Sequence, residues 1–149
     1  MVHALEEIHD LLKPNGILID IHPDIEAQRI EIHQNSRILF AESRQWPAED
    51  REVIKLADEA LVMVVQRGLF ASEGTIEFDD LSYCSSAAEL RNQLSKPSGI
   101  HTTTKDEIEM ALEADLIARV EAFLQTAGSG AEVAIREHAR ITRLKPIRK

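Results

Sequence analysis

Residues 6–24, EEIHDLLKPNGILIDIHPD, carry the end of a helix, a tight turn and an apolar strand in quick succession. Upstream and into this stretch, Met1, Ala4, Leu5, Ile8, Leu11 and Leu12 recur at helical spacing, with Glu6, Glu7 and Asp10 on the opposite face. Pro14, Asn15 and Gly16 end the helix, because proline cannot extend the hydrogen-bond ladder and asparagine and glycine tolerate positive φ. Ile17, Leu18, Ile19 and Ile21 then form an almost unbroken apolar run. That pattern predicts a strand of parallel type, buried on both faces beneath helices.

Downstream the period changes. Ile30 and Ile32 alternate with charged residues, HQNS makes a turn, and Ile38 and Phe40 alternate again, which predicts a hairpin over 29–41 with its loop at Asn35. Pro47, followed by Glu49 and Asp50, opens a second helix whose stripe is Val53, Ala57, Ala60, Leu61 and Val64, closed by Gly68. Ile76 and Phe78 alternate, and Leu81 and Tyr83 alternate out of phase with them, so a strand over 75–83 is expected to bulge or break at Asp79 and Asp80. Ser86 with Glu89, and Thr104 with Glu107, have the spacing of capping boxes. The first opens a short helix ending near Lys96 and Pro97. The second opens the longest helix, with Ile108, Leu112, Leu116, Val120, Phe123 and Leu124 on one face and Gly128 as its stop. A loop covers 96–103 between them. A final strand over 131–142 points Val133 and Ile135 one way and Glu132 and Arg136 the other, with Ala139 and Ile141 keeping the phase.

The expected fold is therefore mixed α/β (α+β): one parallel-type strand at 17–22, antiparallel strands after it, and four to five helices, in a single domain over 1–149. Hydrophobic content of 44% suits a globular chain, and a formal net charge of −9 disfavours nucleic acid and anionic membranes as partners. One cysteine, Cys84, excludes an internal disulfide and fits a reducing compartment. With no signal-peptide pattern and no apolar run of the ~20 residues that span a bilayer, a cytoplasmic location is expected.

Residues 4–21, ALEEIHDLLKPNGILIDI, resemble the helix, turn and fifth strand of class I S-adenosylmethionine-dependent methyltransferases, with Asn15 in place of the first glycine of Leu-Lys-Pro-Gly-Gly. In that family helices and two antiparallel strands follow, so the resemblance implies a partial Rossmann-like sheet corresponding to the C-terminal half. The family's cofactor loop, an acidic-Gly-x-Gly-x-Gly turn, precedes this motif, and the close pair Gly128 and Gly130 follows a helix and precedes a strand, the wrong order for it. No cofactor-binding residue can be carried over. S-adenosylmethionine is implied only if another chain supplies that half. A chain that opens mid-fold reads as a natural remnant, one piece of a split enzyme, or the product of a misassigned start.

The residues with chemistry to offer are few. Asp20 and His22 alternate on one side of the strand near its carboxyl end, with Asp24 just beyond, where open α/β sheets place their ligands. His22 as a general base oriented by a carboxylate is the functional reading, and strand-end groups satisfying loop amides is the bland one. His3, His9, His22, His33, His101 and His138 form no helical H-x-x-x-H pair and no cysteine pair accompanies them, so no metal site is expected. Cys84 reads as a small core residue, and Trp46 as a pocket wall or the closure of a helix base. Arg136, Arg140, Arg143, Lys145, Arg148 and Lys149 read as the solvated face of an edge strand, or as a docking patch for an acidic partner.

Three functions compete. The first is a methyltransferase-like C-terminal domain, not catalytic alone, acting as a binding or assembly module. The second is the acceptor-substrate subunit of a split enzyme, in which the region around Asp20 to Asp24 shapes the acceptor pocket. The third is an unrelated small-molecule-binding α+β protein. A strand as apolar as Ile17 to Ile21 that has lost its neighbours exposes unpaired N–H and C=O groups, so it is expected to be covered in a homodimer or by a missing N-terminal-half chain.

Overall fold

The computed structural model describes residues 1–96 and 106–148. Its elements run α1 (Val2–Leu11), β1 (Leu18–Gln34), β2 (Arg37–Ser43), α2 (Ala48–Gln66), β3 (Phe70–Cys84), α3 (Ala87–Leu94), α4 (Glu107–Ala127) and β4 (Glu132–Pro146). This is a mixed α+β fold with one four-stranded sheet of order β2-β1-β4-β3.

All three ladders are antiparallel, which corrects the parallel-type strand expected at 17–22 and the Rossmann-like sheet with it. The apolar run is not buried on both faces either. Leu18 packs into a core cluster, whereas Ile19 is 45% and Ile21 64% exposed. The run looked doubly buried because isoleucine occupies the outward positions 17, 19 and 21 while Leu18 between them packs inward. Strand 17–22 and the first arm of the hairpin are in fact one strand, β1, bent by an irregularity between Asp24 and Arg29. Gln28 pins the bend: its backbone carbonyl accepts from the Arg44 N–H at 3.2 Å, and its amide donates to Glu137 at 2.6 Å. The three extra residues shift the phase of the strand, so that Ile30 and Ile32 face the side opposite Leu18.

The hairpin turn falls where expected. Asn35 and Ser36 both take positive φ, 50° and 62°, the twist that matches a right-handed β-ribbon. In β3 the expected bulge at Asp79 and Asp80 is absent. Pairing with β4 is in step from Gly74 to Cys84, and the register shift lies between Ser72 and Gly74. Ile76 and Phe78 lie on one face of this unbroken stretch and Leu81 and Tyr83 on the other, with Ile76, Phe78 and Tyr83 exposed, so the phase change marks no bulge; what does change along the sheet is the face that helices cover.

That exchange organises the molecule. One cluster joins Phe70, Leu144 and Val64, with Leu5, Leu18 and Leu61 packed against it, under α1 and α2. A larger one joins Ile30, Ile32, Val133, Ile135 and Cys84 to Leu90, Leu94, Leu116, Ile117 and Val120 of α3 and α4. On β4, where both register shifts place their extra residues on the neighbouring strands, Leu144 and the pair Val133 and Ile135 are of opposite parity, so the two helix pairs cover opposite faces at opposite ends of the sheet.

Helix starts follow capping chemistry. Ser86 accepts from the Glu89 N–H at 3.1 Å, while Glu89 reaches back to Ser85 at 2.7 Å. The expected partner of Glu107, Thr104, lies outside the described residues, as do Pro97 and most of the loop placed at 96–103. The capping box that opens α4 belongs to Asp106 and Glu109, two residues later than expected. Of the α4 stripe, Leu116 and Val120 are buried, but Ile108 and Leu112 are exposed, so the helix projects beyond its core by its first turns. Cys84 is a buried core residue, as its sequence context indicated.

The basic tail is corrected as well. β4 lies between β1 and β3, not at an edge, and its arginines are paired: Arg136 with Glu31 and Asp79, Arg140 with Asp58, Arg143 with Glu73. Arg148 donates to the backbone carbonyls of His9 and Leu12, tying the end of the chain to the end of α1. No helix among the described residues is long and apolar enough to cross a membrane.

Candidate functional site

Antiparallel register, read row by row across β1, β4 and β3, brings polar residues together on the face beneath α2. Asp20 pairs with Thr142 and Thr142 with Thr75; His22 pairs with Arg140 and Arg140 with Glu77; Asp24 pairs with His138 and His138 with Asp79. Above these rows α2 contributes Arg51, Lys55 and Asp58, and the strands and helix enclose a cleft of about 480 Å³. His22 and Asp24 line it; Asp20 lies deeper, beside His22.

The His22 side chain is only 8% exposed and sits between two carboxylates, with Nδ1 3.9 Å from Asp20 and Nε2 3.6 Å from Asp58. Neither separation is a hydrogen bond, and both His22 Nε2 and Asp20 Oδ2 are buried without a hydrogen-bond partner. The geometry of a base locked by a carboxylate is therefore not formed here. What the cleft offers is a lining residue, His22, with a buried and unsatisfied imidazole nitrogen. Burial pushes the Asp20 carboxyl above its ordinary range, with His22 and Arg140 pulling the other way.

Asp58 also accepts from Arg140, which fastens α2 to the sheet across the cleft. At the other end His138 donates to Asp79 at 2.8 Å and lies 3.9 Å from Glu77. The hydrogen bond to Asp79 raises the pKa of His138, and the same bond lowers that of Asp79. Beyond them Glu31, 2% exposed, accepts from Arg136 at 2.8 Å and from His33 at 2.6 Å. Burial pushes the Glu31 carboxyl up, but these two partners outweigh it and hold it below its ordinary range.

Sequence reasoning found Asp20, His22 and Asp24 but missed Asp58, Glu77, His138 and Arg140. Glu77 alternates with Ile76 and Phe78, and Arg140 with Ala139 and Ile141, so polar phase on three strands was the available signal. Trp46 does line a cavity, of about 250 Å³, with Leu94, Leu112 and Leu116, and the Arg44 guanidinium lies 4.4 Å from its ring centroid. Cys84 stands apart from the polar cleft, inside the cluster under α3 and α4. Among the described residues, no group of three or more His, Cys, Asp or Glu side chains is placed to hold a metal ion.

The opposite face at the same end of the sheet is apolar and open. Ile21, Ile141 and Ile76 form one row and Pro23, Ala139 and Phe78 the next, with Ile76 63% and Phe78 40% exposed. β2 pairs with β1 only from Arg29 to Gln34, so positions 18–24 have β4 on one side and no strand on the other among the described residues. Pro23, which has no N–H to donate, is tolerated in β1 where a strand has a free side. No protein-family model, no curated protein and no solved structure matches the chain.

Proposed function

We propose that the chain is an assembly module built like the C-terminal half of a class I methyltransferase and not catalytic alone. The observation that carries this reading is the open corner at Ile19 and Ile21, where a free strand edge meets an exposed apolar face. A strand of a doubly covered α/β sheet keeps this corner bare when its neighbouring strand and second helix layer come from another polypeptide. The last strand, antiparallel to both β1 and β3, is compatible with the antiparallel strands that follow the fifth strand in that family. In isolation the chain covers this corner with a second copy, pairing through 18–22 because Pro23 limits the ladder. In a two-chain enzyme the same corner receives the half that carries S-adenosylmethionine.

Light scattering of the purified chain over the micromolar range tests the first part. Wild type is expected to self-associate, and Ile21→Lys, which buries a charge at the contact, to be a folded monomer. A monodisperse wild-type monomer overturns assembly by self-pairing. Calorimetric titration with S-adenosylhomocysteine tests the second part: no heat is expected from the folded chain, and saturable one-site binding shows that it holds a cofactor unaided.

A further inference from the structure

We propose that the cleft between α2 and the sheet is a binding site for a small hydroxylated amine. Two independent observations carry this. The first is His22, one of the residues lining the cleft and more than nine-tenths buried in its side chain, whose buried Nε2 lacks a hydrogen-bond partner and stands 3.6 Å from Asp58 Oδ2. A separation of this size is too long for a direct hydrogen bond and is of the kind a bridging oxygen closes. A hydroxyl both donates and accepts, so it satisfies the imidazole in either tautomer and still reaches the Asp58 carboxylate.

The second is the balance of charge around the cavity. Its cations are already matched: Arg140 by Asp58, Arg51 by Glu26 at 3.9 Å, and Lys55 by Glu59 at 3.9 Å. At the sheet end the reverse holds. His138 faces Asp79, Glu77 and Asp24, all of which favour its charged form, and of the three only Asp79 also takes a hydrogen bond from Arg136, which is shared with Glu31. Asp24 and Glu77 both line the cleft, leaving carboxylate in excess at that end. An ammonium group fits that end and a hydroxyl fits beside His22, whereas an anion meets the carboxylates of both walls. The inference does not depend on methyl transfer or on the open corner of the sheet, which lies on the other face.

The test is an NMR titration of the full-length chain, following the ring resonances of His22 and His138, with 2-aminoethanol as probe. Saturable shifts of both rings are expected. Propylamine, lacking the hydroxyl, should bind roughly tenfold more weakly, as the loss of one hydrogen bond to a charged or buried group predicts. Glu77→Gln, at an exposed side chain that does not support the core, should weaken the probe to a similar degree. His22→Gln should abolish the advantage of aminoethanol over propylamine. Absence of saturable shifts from folded wild type overturns the proposal, as does an equal response to acetate or to ethylene glycol.

Discussion

Glu31 is the single residue on which the polar face depends most. It is buried, it holds Arg136 and His33, and it faces Ala134, itself fully buried, across the ladder. Replacing it with Gln keeps the shape and removes the charge that both partners use, and should cost about 2 kcal/mol in urea unfolding. Acid should have the same effect. Because the folded pKa is depressed, the carboxylate stabilises fully above the unfolded value of about 4.5 and that contribution is lost as pH falls through the lower folded value. Wild type should therefore lose stability below about pH 4.5 more steeply than Glu31→Gln, read from unfolding curves at a series of pH values. Little of this was legible beforehand. Glu31 sits in an alternating strand where a charged residue reads as solvated, and its burial follows from Arg136 and His33 closing over it. Asp20 and His22 were legible as a pair because they share a strand. Asp58 and Arg140, which come from a helix and another strand, were not.

Elements were read more reliably than their partners. The turn at Asn35, the helix opened by Pro47, the cap at Ser86 and the stop at Gly128 are all fixed by local backbone chemistry, and all are where the residues place them. Strand direction is not local: an apolar run looks alike in a parallel and an antiparallel ladder, and only β4, at the far end of the chain, decides which β1 belongs to. Local chemistry also makes the elements testable. Ser36 holds a left-handed conformation that costs a residue with a Cβ about 1 kcal/mol, so Ser36→Gly should raise stability by about 0.5–1 kcal/mol in denaturant unfolding. Asp106 accepts from the Glu109 N–H at 2.8 Å, and Asp106→Ala should lower stability by about 1 kcal/mol, seen as a lower midpoint with an unchanged slope.

At the scale of the whole molecule, the sheet carries two cores that do not face each other. Phe70, Leu144 and Val64 gather on one side under α1 and α2, and Ile30, Ile32 and Val133 on the other under α3 and α4. Among the described residues the two helix pairs make no extended contact with each other, so the strands β1, β3 and β4 are the main connection between the ends. Such a molecule opens in two cooperative units rather than one. Native-state hydrogen exchange should show the amides of α1 and α2 exchanging through one opening and those of α3 and α4 through a second, costlier one, since the larger cluster lies there. Val64→Ala should speed exchange in the first group alone and Val120→Ala in the second, each by the factor its lost packing implies; a single common rate would show that the sheet transmits the loss. A partner that closes over one end could then tighten it while the other still breathes.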